Sequence, residues 1–288
     1  MGNAMNTIVQ GIMVGGLYAM FAIGLALIFG VMKLVNIAHG DLIVLAAYVA
    51  LIVTRTLGIN PLLSLVFVIP FMTAVGYLLQ RLLFNRTIGG DLMPPLLVSF
   101  GLSVIIQNGL LQIFSADTQR LQAGAIDIAR VRLSDAVNIG ILPLMQLGLA
   151  VLVIAGLQYL LFRTPIGRSF RAVSDDPQIA QLMGLNNKHV FGLAMGLSLA
   201  IIAVAGVFLA IGANFDPATG PTRLIFGFEA VIIGGLSSFW GTLAGGIILG
   251  VVQALAASID PGFQILAGHL AFLAVLAIRP SGLFGRRL

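Results

Sequence analysis

Long apolar runs, separated by short polar breaks, dominate this chain. A helix needs about 20 apolar residues to cross the hydrocarbon core of a bilayer, and most of the runs approach that length. Each run predicts a helix, because a segment in lipid must satisfy its own backbone hydrogen bonds. The runs cover residues 7–32, 36–54, 61–84, 94–114, 141–162, 190–213, 225–239, 241–258 and 263–279. The pattern predicts an all-α polytopic membrane protein with eight or nine transmembrane helices, and leaves open whether 225–258 crosses once or twice.

Composition supports this class and excludes others. Hydrophobic residues make up 59% of the 288 residues and charged residues only 9%, whereas about a quarter of a soluble domain is charged. We therefore treat residues 1–288 as a single transmembrane domain. The net charge of +5 comes without a basic patch interleaved with aromatics, so it indicates orientation and contact with anionic membrane lipid, and no nucleic-acid partner is expected. Cysteine is absent, which excludes disulfides and thiolate metal sites.

Arginine and lysine set the expected orientation. Three breaks are basic: 81–91, 163–188 and 279–288. With nine crossings all three lie on one side, which the positive-inside rule makes the cytoplasm. The break at 115–140 conflicts with the rule, because it falls outside and yet carries three arginines beside three aspartates: Arg120, Arg130, Arg132, Asp117, Asp127 and Asp135. Short strands or an interfacial helix could form in that break, and the pattern does not decide between them.

Two spans, near 36–54 and 225–240, are short or broken. In the first, the continuous apolar run is only the twelve residues Leu42–Val53. A helix of that length covers about 18 Å of a core about 30 Å thick. To cross, the helix must start near Val35. This start would draw three polar residues into the membrane: Asn36, His39 and Asp41.

The second short span, Ile225–Trp240, is interrupted by Gly234 and Gly235 and contains Glu229. An ionisable residue inside a span costs about 2.5–3.5 kcal/mol on insertion scales and usually serves function. Both short spans follow a long one, and such an arrangement in two halves of a chain points to a transport site near the middle of the membrane. The candidates for the translocation path are Asn36, His39, Asp41 and Glu229.

Both sets of candidates have a plainer interpretation. The polar residues Asn36–Asp41 could form an interfacial hairpin turn, with Lys33 extending to the headgroups. Glu229 could lie at the outer headgroup level, one turn inside its span. In either case the polar groups would support helix packing and would not meet a solute.

The most charged interruption, Arg163–Lys188, has its own folding signal. Asp176 before Pro177 predicts a helix N-cap with proline at the first helical position, and Gly184 predicts the end of that helix. One face of the helix carries Ile179, Leu182 and Met183. A helix of about two turns is not stable alone in water, so the pattern favours docking into a groove on a soluble partner. The alternative is an interfacial helix that lies on the bilayer.

Glycines four residues apart recur within the apolar runs. Such pairs let two helices approach closely in lipid, so they predict tight helix packing. The pairs are Gly11–Gly15, Gly192–Gly196, Gly241–Gly245 and Gly246–Gly250.

Motifs for catalysis or energy conversion are absent from the sequence. There is no HExxH, no nucleophile elbow and no histidine cluster, and the two lysines, Lys33 and Lys188, do not follow glycine as in a P-loop. No catalytic residue, metal ligand or cofactor is therefore predicted, and an enzyme is not expected. A stand-alone secondary transporter or channel would need an ion-coupling site, for which the ionisable residues are sparse. A structural scaffold is the third class left open.

Four motifs follow one another along nearly the whole chain. They are GLYAMFAIGLALIFGV with NIAHGD (Asn36–Asp41), GRSFRAVSDDPQIAQLMGL (Gly167–Leu185), GFEAVIIGGLSSFWGTLAGGIILG (Gly227–Gly250) and LAIRPSGLFG (Leu276–Gly285). Together they resemble the permease subunits of bacterial branched-chain amino acid ABC importers, the Liv type. The resemblance implies a multi-pass permease in the bacterial inner membrane that lacks an ATPase of its own.

The resemblance also implies partners and coupling residues. It implies a second homologous permease subunit, two ABC ATPase subunits docked beneath a cytoplasmic coupling loop at about 163–189, and a periplasmic solute-binding protein. Family members carry leucine, isoleucine and valine, or other neutral amino acids, amides or urea, and no residue here selects among these or between a homodimer and a heterodimer. The expected coupling residues are Arg168, Arg171, Asp175, Asp176, Pro177, Ile179, Ala180, Leu182, Met183 and Gly184.

Overall fold

A computed structural model describes residues 2–88, 93–134, 137–236 and 238–285, and helices make up most of them. These helices are α1 Gly2–Met32, α2 His39–Leu57, α3 Leu65–Leu82, α4 Met93–Phe114, α5 Ala125–Ile128, α6 Ile141–Arg163, α7 Pro165–Asp175, α8 Pro177–Leu182, α9 Asn187–Gly212, α10 Gly220–Gly234, α11 Phe239–Ile259 and α12 Phe263–Ile278. A 3₁₀ turn, Phe84–Arg86, follows α3, and strand β1 (Arg130–Ser134) pairs with β2 (Val137–Gly140). The predicted all-α membrane class is confirmed, with one small hairpin added.

All nine predicted apolar runs form helices. Within the described residues, seven helices are long and apolar enough to cross a membrane: α1, α2, α3, α4, α6, α9 and α11. The helix α12 is shorter, with 16 residues, and α10 has 15. The run 225–258 holds two separate helices, because the chain turns at Gly235 with a φ of 102°. At 1.5 Å per residue α10 extends about 22 Å, which is less than the roughly 30 Å of the hydrocarbon core.

The helices form a bundle with two distinct ends. The loop end is the one where α7 and α8 lie, and there the Ser174 hydroxyl donates to the carbonyl of Gly30, near the end of α1, at 2.6 Å. At the opposite end, the Arg55 guanidinium of α2 donates to Oε1 of Gln119 at 2.8 Å. Helices α1 and α9 are the two most buried spans and form the centre of the bundle.

The three basic breaks meet at the loop end, as the charge pattern predicts. The Asn85 amide, after α3, donates to the carbonyl of Lys188 at 3.2 Å. The backbone N–H of Phe284 donates to the carbonyl of Gly234 at 3.1 Å, next to the start of α11. The last two arginines of the chain, 286 and 287, lie outside the described residues.

The glycine pairs bring helices into close contact, as predicted. On α1, a Cβ at Gly11 would lie only 2.6 Å from the Cα of Val251, and one at Gly15 would lie 2.7 Å from the carbonyl oxygen of Gly246. On α9, Gly192 lies directly against the ring of Tyr77 from α3. The backbones of α1 and α11 therefore touch without a side chain between them, and on α9 the missing side chain of Gly192 makes room for the Tyr77 ring.

The segment between α4 and α6 forms both structures that the sequence left open. It contains the short helix α5 and the antiparallel hairpin, in which Arg130 lies opposite Gly140. A backbone bridge between Gln119 and Phe215 ties the segment to the stretch before α10. The segment thus covers the end of the bundle opposite the loop end, and Asp135 lies outside the described residues.

The first broken span begins later than predicted. The helix starts at His39 and not near Val35, because Asn36 forms a turn: its Oδ1 accepts from the N–H of Ala38 at 3.0 Å and its carbonyl accepts from that of His39 at 3.3 Å. Lys33 has a positive φ of 51° and reverses the chain after α1. The six residues before α2 therefore return into the bundle without helical structure, and the polar start of α2 is buried.

Candidate functional site

The helix predicted within the charged loop is α8. Oδ1 of Asp176 accepts from the backbone N–H groups of Gln178 at 2.8 Å and Ile179 at 3.0 Å, so Asp176 is its N-cap. Pro177 occupies the first helical position, where its missing N–H removes no hydrogen bond. The helix ends before Gly184, whose φ of 87° is the left-handed conformation that favours glycine.

Three apolar side chains project from α8, and we refer to them as the apolar tip: Ile179, Leu182 and Met183. They are 58%, 87% and 80% exposed, whereas Ala180 on the opposite face is buried. Exposing a cluster of large apolar side chains in water is unfavourable, so such a patch is typical of a binding surface.

A second helix in the loop, α7, was missed by the sequence analysis. The Thr164 hydroxyl caps it by accepting from the N–H of Gly167 at 3.2 Å, with Pro165 at its first position. This Thr-Pro pair is the same kind of signal as Asp176-Pro177 and could have been recognised. Phe170 and Val173 bury one face of α7 against the bundle.

Hydrogen bonds tie α7 and α8 to the two central helices. Besides the contact of Ser174 with α1, the Asn187 amide at the start of α9 donates to the carbonyl of Pro177 at 2.6 Å. The loop is therefore held to both central spans.

Three charged candidates of the loop lie on α7, the helix before α8. Arg168, Arg171 and Asp175 are exposed, and the Arg171 guanidinium lies 5.1 Å from the centre of the Phe162 ring, within cation–π range. Beside α8 an open groove of about 920 Å³ runs between Asn85 and Asp175. The loop thus presents an apolar tip on α8 and exposed charges of both signs on α7, which suits a protein partner.

The polar residues before α2 lie inside the bundle. Asn36 and His39 are fully buried, and Nε2 of His39 lies 2.9 Å from the carbonyl oxygen of Phe21 on α1. Nε2 must carry the proton, because a carbonyl oxygen only accepts. Nδ1 of His39 and Nδ2 of Asn36 find no hydrogen-bond partner among the described residues. Both side chains lie in the core of the bundle, where Asn36 forms the turn before α2.

Asp41 is buried against α4, which supplies a polar ladder that the sequence analysis missed. The Gln107 amide donates to Oδ1 of Asp41 at 2.9 Å and to the Ser103 hydroxyl at 3.2 Å. One turn earlier, the Ser99 hydroxyl accepts from the N–H of Ile37 at 3.1 Å. The signal was available: Ser99, Ser103 and Gln107 are spaced i, i+4 and i+8 in an apolar span, so they share one helix face.

The starts of α2 and α10 meet inside the bundle. A Cβ on Gly40 would overlap the carbonyl of Gly220, the first residue of α10, and one on Gly220 would overlap the Asp41 carboxylate. Each of these two helices follows a long one and a non-helical stretch. The positive end of the α10 dipole thus faces the Asp41 carboxylate, which stabilises the negative charge. We call this contact the paired helix starts.

Glu229 lies away from the other three path candidates. It is buried between α10 and α12, where Oε1 forms an ion-pair contact with Nδ1 of His269. Oε2 is buried and has no hydrogen-bond partner within the described ranges. On the neighbouring side of α10, the Tyr18 hydroxyl donates to Oε1 of Gln253 at 2.6 Å. The partner of Glu229, His269, was not predicted from the sequence.

The comparisons with known proteins identify the family. A family model described as "Branched-chain amino acid transport system / permease component" matches residues 7–277. The chain belongs to this family. Its members are transport permeases and not enzymes, and the seven long apolar helices make this permease a multi-pass membrane protein.

Relatives from bacteria and an archaeon align with the permease from end to end. The high-affinity branched-chain amino acid transport system permease protein BraD of Pseudomonas aeruginosa is 29% identical over 302 residues, which cover 98% of this chain and 96% of BraD. LivH of Escherichia coli is 26% identical over 298 residues, 96% of this chain and 94% of LivH. A probable LivH of Methanocaldococcus jannaschii is 29% identical over 286 residues, 95% and 90% of the two chains. No solved structure matches the permease.

Proposed function

We propose that this permease is the membrane subunit of an ATP-driven importer of branched-chain, neutral aliphatic amino acids. The observation that carries the proposal is the apolar tip of α8, exposed at the loop end and tied by hydrogen bonds to α1 and α9. The relatives whose names state high-affinity branched-chain amino acid transport support this choice of solute.

The permease would work as part of a larger assembly. In this proposal it pairs with a second homologous permease subunit in the bacterial inner membrane, two ABC ATPase subunits dock at the loop end, and a periplasmic solute-binding protein delivers the solute at the opposite end. The family description as one component of a transport system supports the existence of partners. The three basic breaks at the loop end support a cytoplasmic position for that end.

Coupling would begin at the apolar tip. ATP-driven closure of the ATPases moves the segment Pro177 to Gly184, which contains α8. The Ser174 and Asn187 contacts pass this movement to α1 and α9, so that access to the solute path switches from one end to the other. Arg168 and Arg171 would hold the loop to lipid phosphates or acidic groups of the ATPase.

The acidic residues and Ala180 would complete the coupling element. Asp176 keeps α8 folded as its N-cap, Asp175 would pair with basic groups of the ATPase, and the buried Ala180 lets α8 lie close to the bundle. The translocation path would involve Asp41 and Glu229 directly. Asn36 and His39 would act by positioning the start of α2, since their contacts are to backbone groups of this chain.

A charge introduced into the apolar tip tests the function. We expect Met183→Glu to abolish co-purification of the ATPase and to reduce leucine uptake to background, because a desolvated carboxylate cannot replace an apolar contact. The matched control is Gln181→Glu, which adds the same charge to an exposed residue on another face of α8. Normal co-purification and normal uptake by Met183→Glu would show that α8 does not couple.

A further inference from the structure

The short helix α10 is covered by neighbours on all sides but one. It contacts four helices: α2 through Gly220 and Gly40, α1 through Gly227 and Phe21, α11 through Ala230 and Gly245, and α12 through Glu229 and His269. The remaining side presents Pro221, Thr222 and Ile225, which are exposed. We call these three residues the open strip of α10.

Polar and ionisable groups lie along both borders of the open strip. On the α2 side, Asp41 is joined to the half-buried Gln107 of α4. On the α12 side, Glu229 is joined to His269, whose side chain is 39% exposed. The free Oε2 of Glu229 adds an unsatisfied acceptor within the described structure. Groups of this kind are costly against lipid tails and are found where a membrane protein lines water or a substrate pathway.

The lipid-type surfaces of the bundle differ from the open strip. Leu152 on α6 is 65% exposed, and the preceding residue, Val151, is also apolar and exposed. On α4, Ile105 is likewise among the most exposed apolar residues. A full-length apolar helix can face hydrocarbon at no electrostatic cost, whereas the short α10 with its bordering ion pair cannot.

We propose that the open strip of α10 lines an aqueous solute path, and that Glu229 with His269 contacts the polar end of the passing solute. This inference rests on the proposed function and adds to it Ile225 and His269. The Glu229 carboxylate accepts from the ammonium group of a zwitterionic amino acid, while Ile225 and Pro221 contact its aliphatic side chain. The short α10, which begins inside the bundle, leaves room for this path at the depth where a full-length helix would fill it.

The absence of cysteine from the chain makes the inference directly testable. In the full complex in vesicles, Ile225→Cys is treated with a charged, membrane-impermeant thiol reagent, and labelling of this subunit is followed over time. Leu152→Cys is the control, since it is more exposed but lies on a lipid-type surface. A thiol reacts as its thiolate, which an apolar surrounding suppresses, so we expect labelling at Ile225→Cys to be at least about tenfold faster. Leucine with its binding protein should slow it.

Two results would overturn the inference. Equal, slow labelling at both positions would mean that lipid covers the open strip, and labelling only when this subunit is isolated would mean that another chain covers it without water. Neither result affects the proposed function, because ATPase co-purification is measured in the same preparations. If the ATPase did not co-purify with the unmodified permease, that result would instead contradict the proposed function.

A second pair of variants tests the polar contact. We expect Glu229→Gln, introduced with Ile225→Cys, to abolish protection by leucine and to raise the apparent KM for uptake while ATPase binding is retained. Thr73→Val is the control, because it removes a hydrogen bond to the Ile69 carbonyl on α3, which is not one of the four helices that contact α10. Full protection in Glu229→Gln would exclude a contact between Glu229 and solute. If that variant does not assemble, His269→Gln is read in the same way.

Discussion

Two aspartates, each at the start of a helix, have different structural roles in this permease. Asp176 is at the surface and caps its own helix, α8, within three residues of sequence. Asp41 is buried, and its carboxylate lies beside the first residue of α10, far away in sequence. The first builds a local element that presents an apolar tip outward, whereas the second holds two interrupted helices together inside the bundle.

The difference concerns where stability comes from. A surface cap affects one short helix, and its loss leaves the rest of the bundle folded. The paired helix starts bury polar backbone and a carboxylate in an apolar interior, where each unsatisfied group is expensive. Changes at the paired helix starts should therefore unfold or disassemble the permease, and changes at the tip should only uncouple it.

The largest expected effect is steric, at Gly40. A leucine there must displace the backbone of Gly220, which cannot yield as a flexible side chain could. We expect Gly40→Leu to cost about 3 kcal/mol or more and to prevent recovery of a monodisperse permease from membranes. Gly109→Leu on α4 is the control, because a Cβ at Gly109 meets nothing within 4 Å. Equal thermal stability of the two variants in detergent would show that the helix starts do not touch.

The next effect is the loss of the buried carboxylate. Asp41→Ala leaves the Gln107 amide without its acceptor and removes the carboxylate beside the start of α10, which we expect to lower stability by about 1–3 kcal/mol. Asp41→Asn should lose less, since an amide oxygen still accepts from Gln107, although it gives up the favourable charge at the α10 dipole. Thermal unfolding of both variants shows which of them loses more stability. A smaller loss in Asp41→Ala than in Asp41→Asn would contradict the role of the carboxylate as an acceptor.

The same contrast explains what the sequence could predict. The cap, proline and glycine of α8 are local signals, so its position and its exposed face follow from neighbouring letters. The nine apolar runs likewise become helices, because lipid leaves the backbone no other structure. The family motifs add the expected assembly but do not give the contacts within the bundle.

Contacts between segments far apart in sequence could not be predicted from such local signals. The Ile37 N–H before α2 donates to a serine of α4 that is 62 positions away in sequence, and the contact of Gly40 with Gly220 depends on how two halves of the chain fold together. His269 could not be connected to Glu229 from spacing, since 40 positions and the whole of α11 separate them. A polar residue in a span indicates that a polar partner is needed, but the sequence does not identify the helix that supplies that partner.

The smallest expected effect, at Asp176, is the sharpest test of the comparison. Asp176→Ala removes two capping hydrogen bonds and should cost α8 about 1 kcal/mol, so that the apolar tip is presented in only part of the molecules. ATPase co-purification should fall, while the thermal unfolding of the bundle stays that of the unmodified permease. Asp176→Asn is the matched control, because it removes the same charge while the asparagine side chain still caps the helix. If Asp176→Ala instead destabilised the whole bundle as Asp41→Ala is expected to do, α8 would be part of the folding core, and the separation between an outward coupling element and an inward structural one would be wrong.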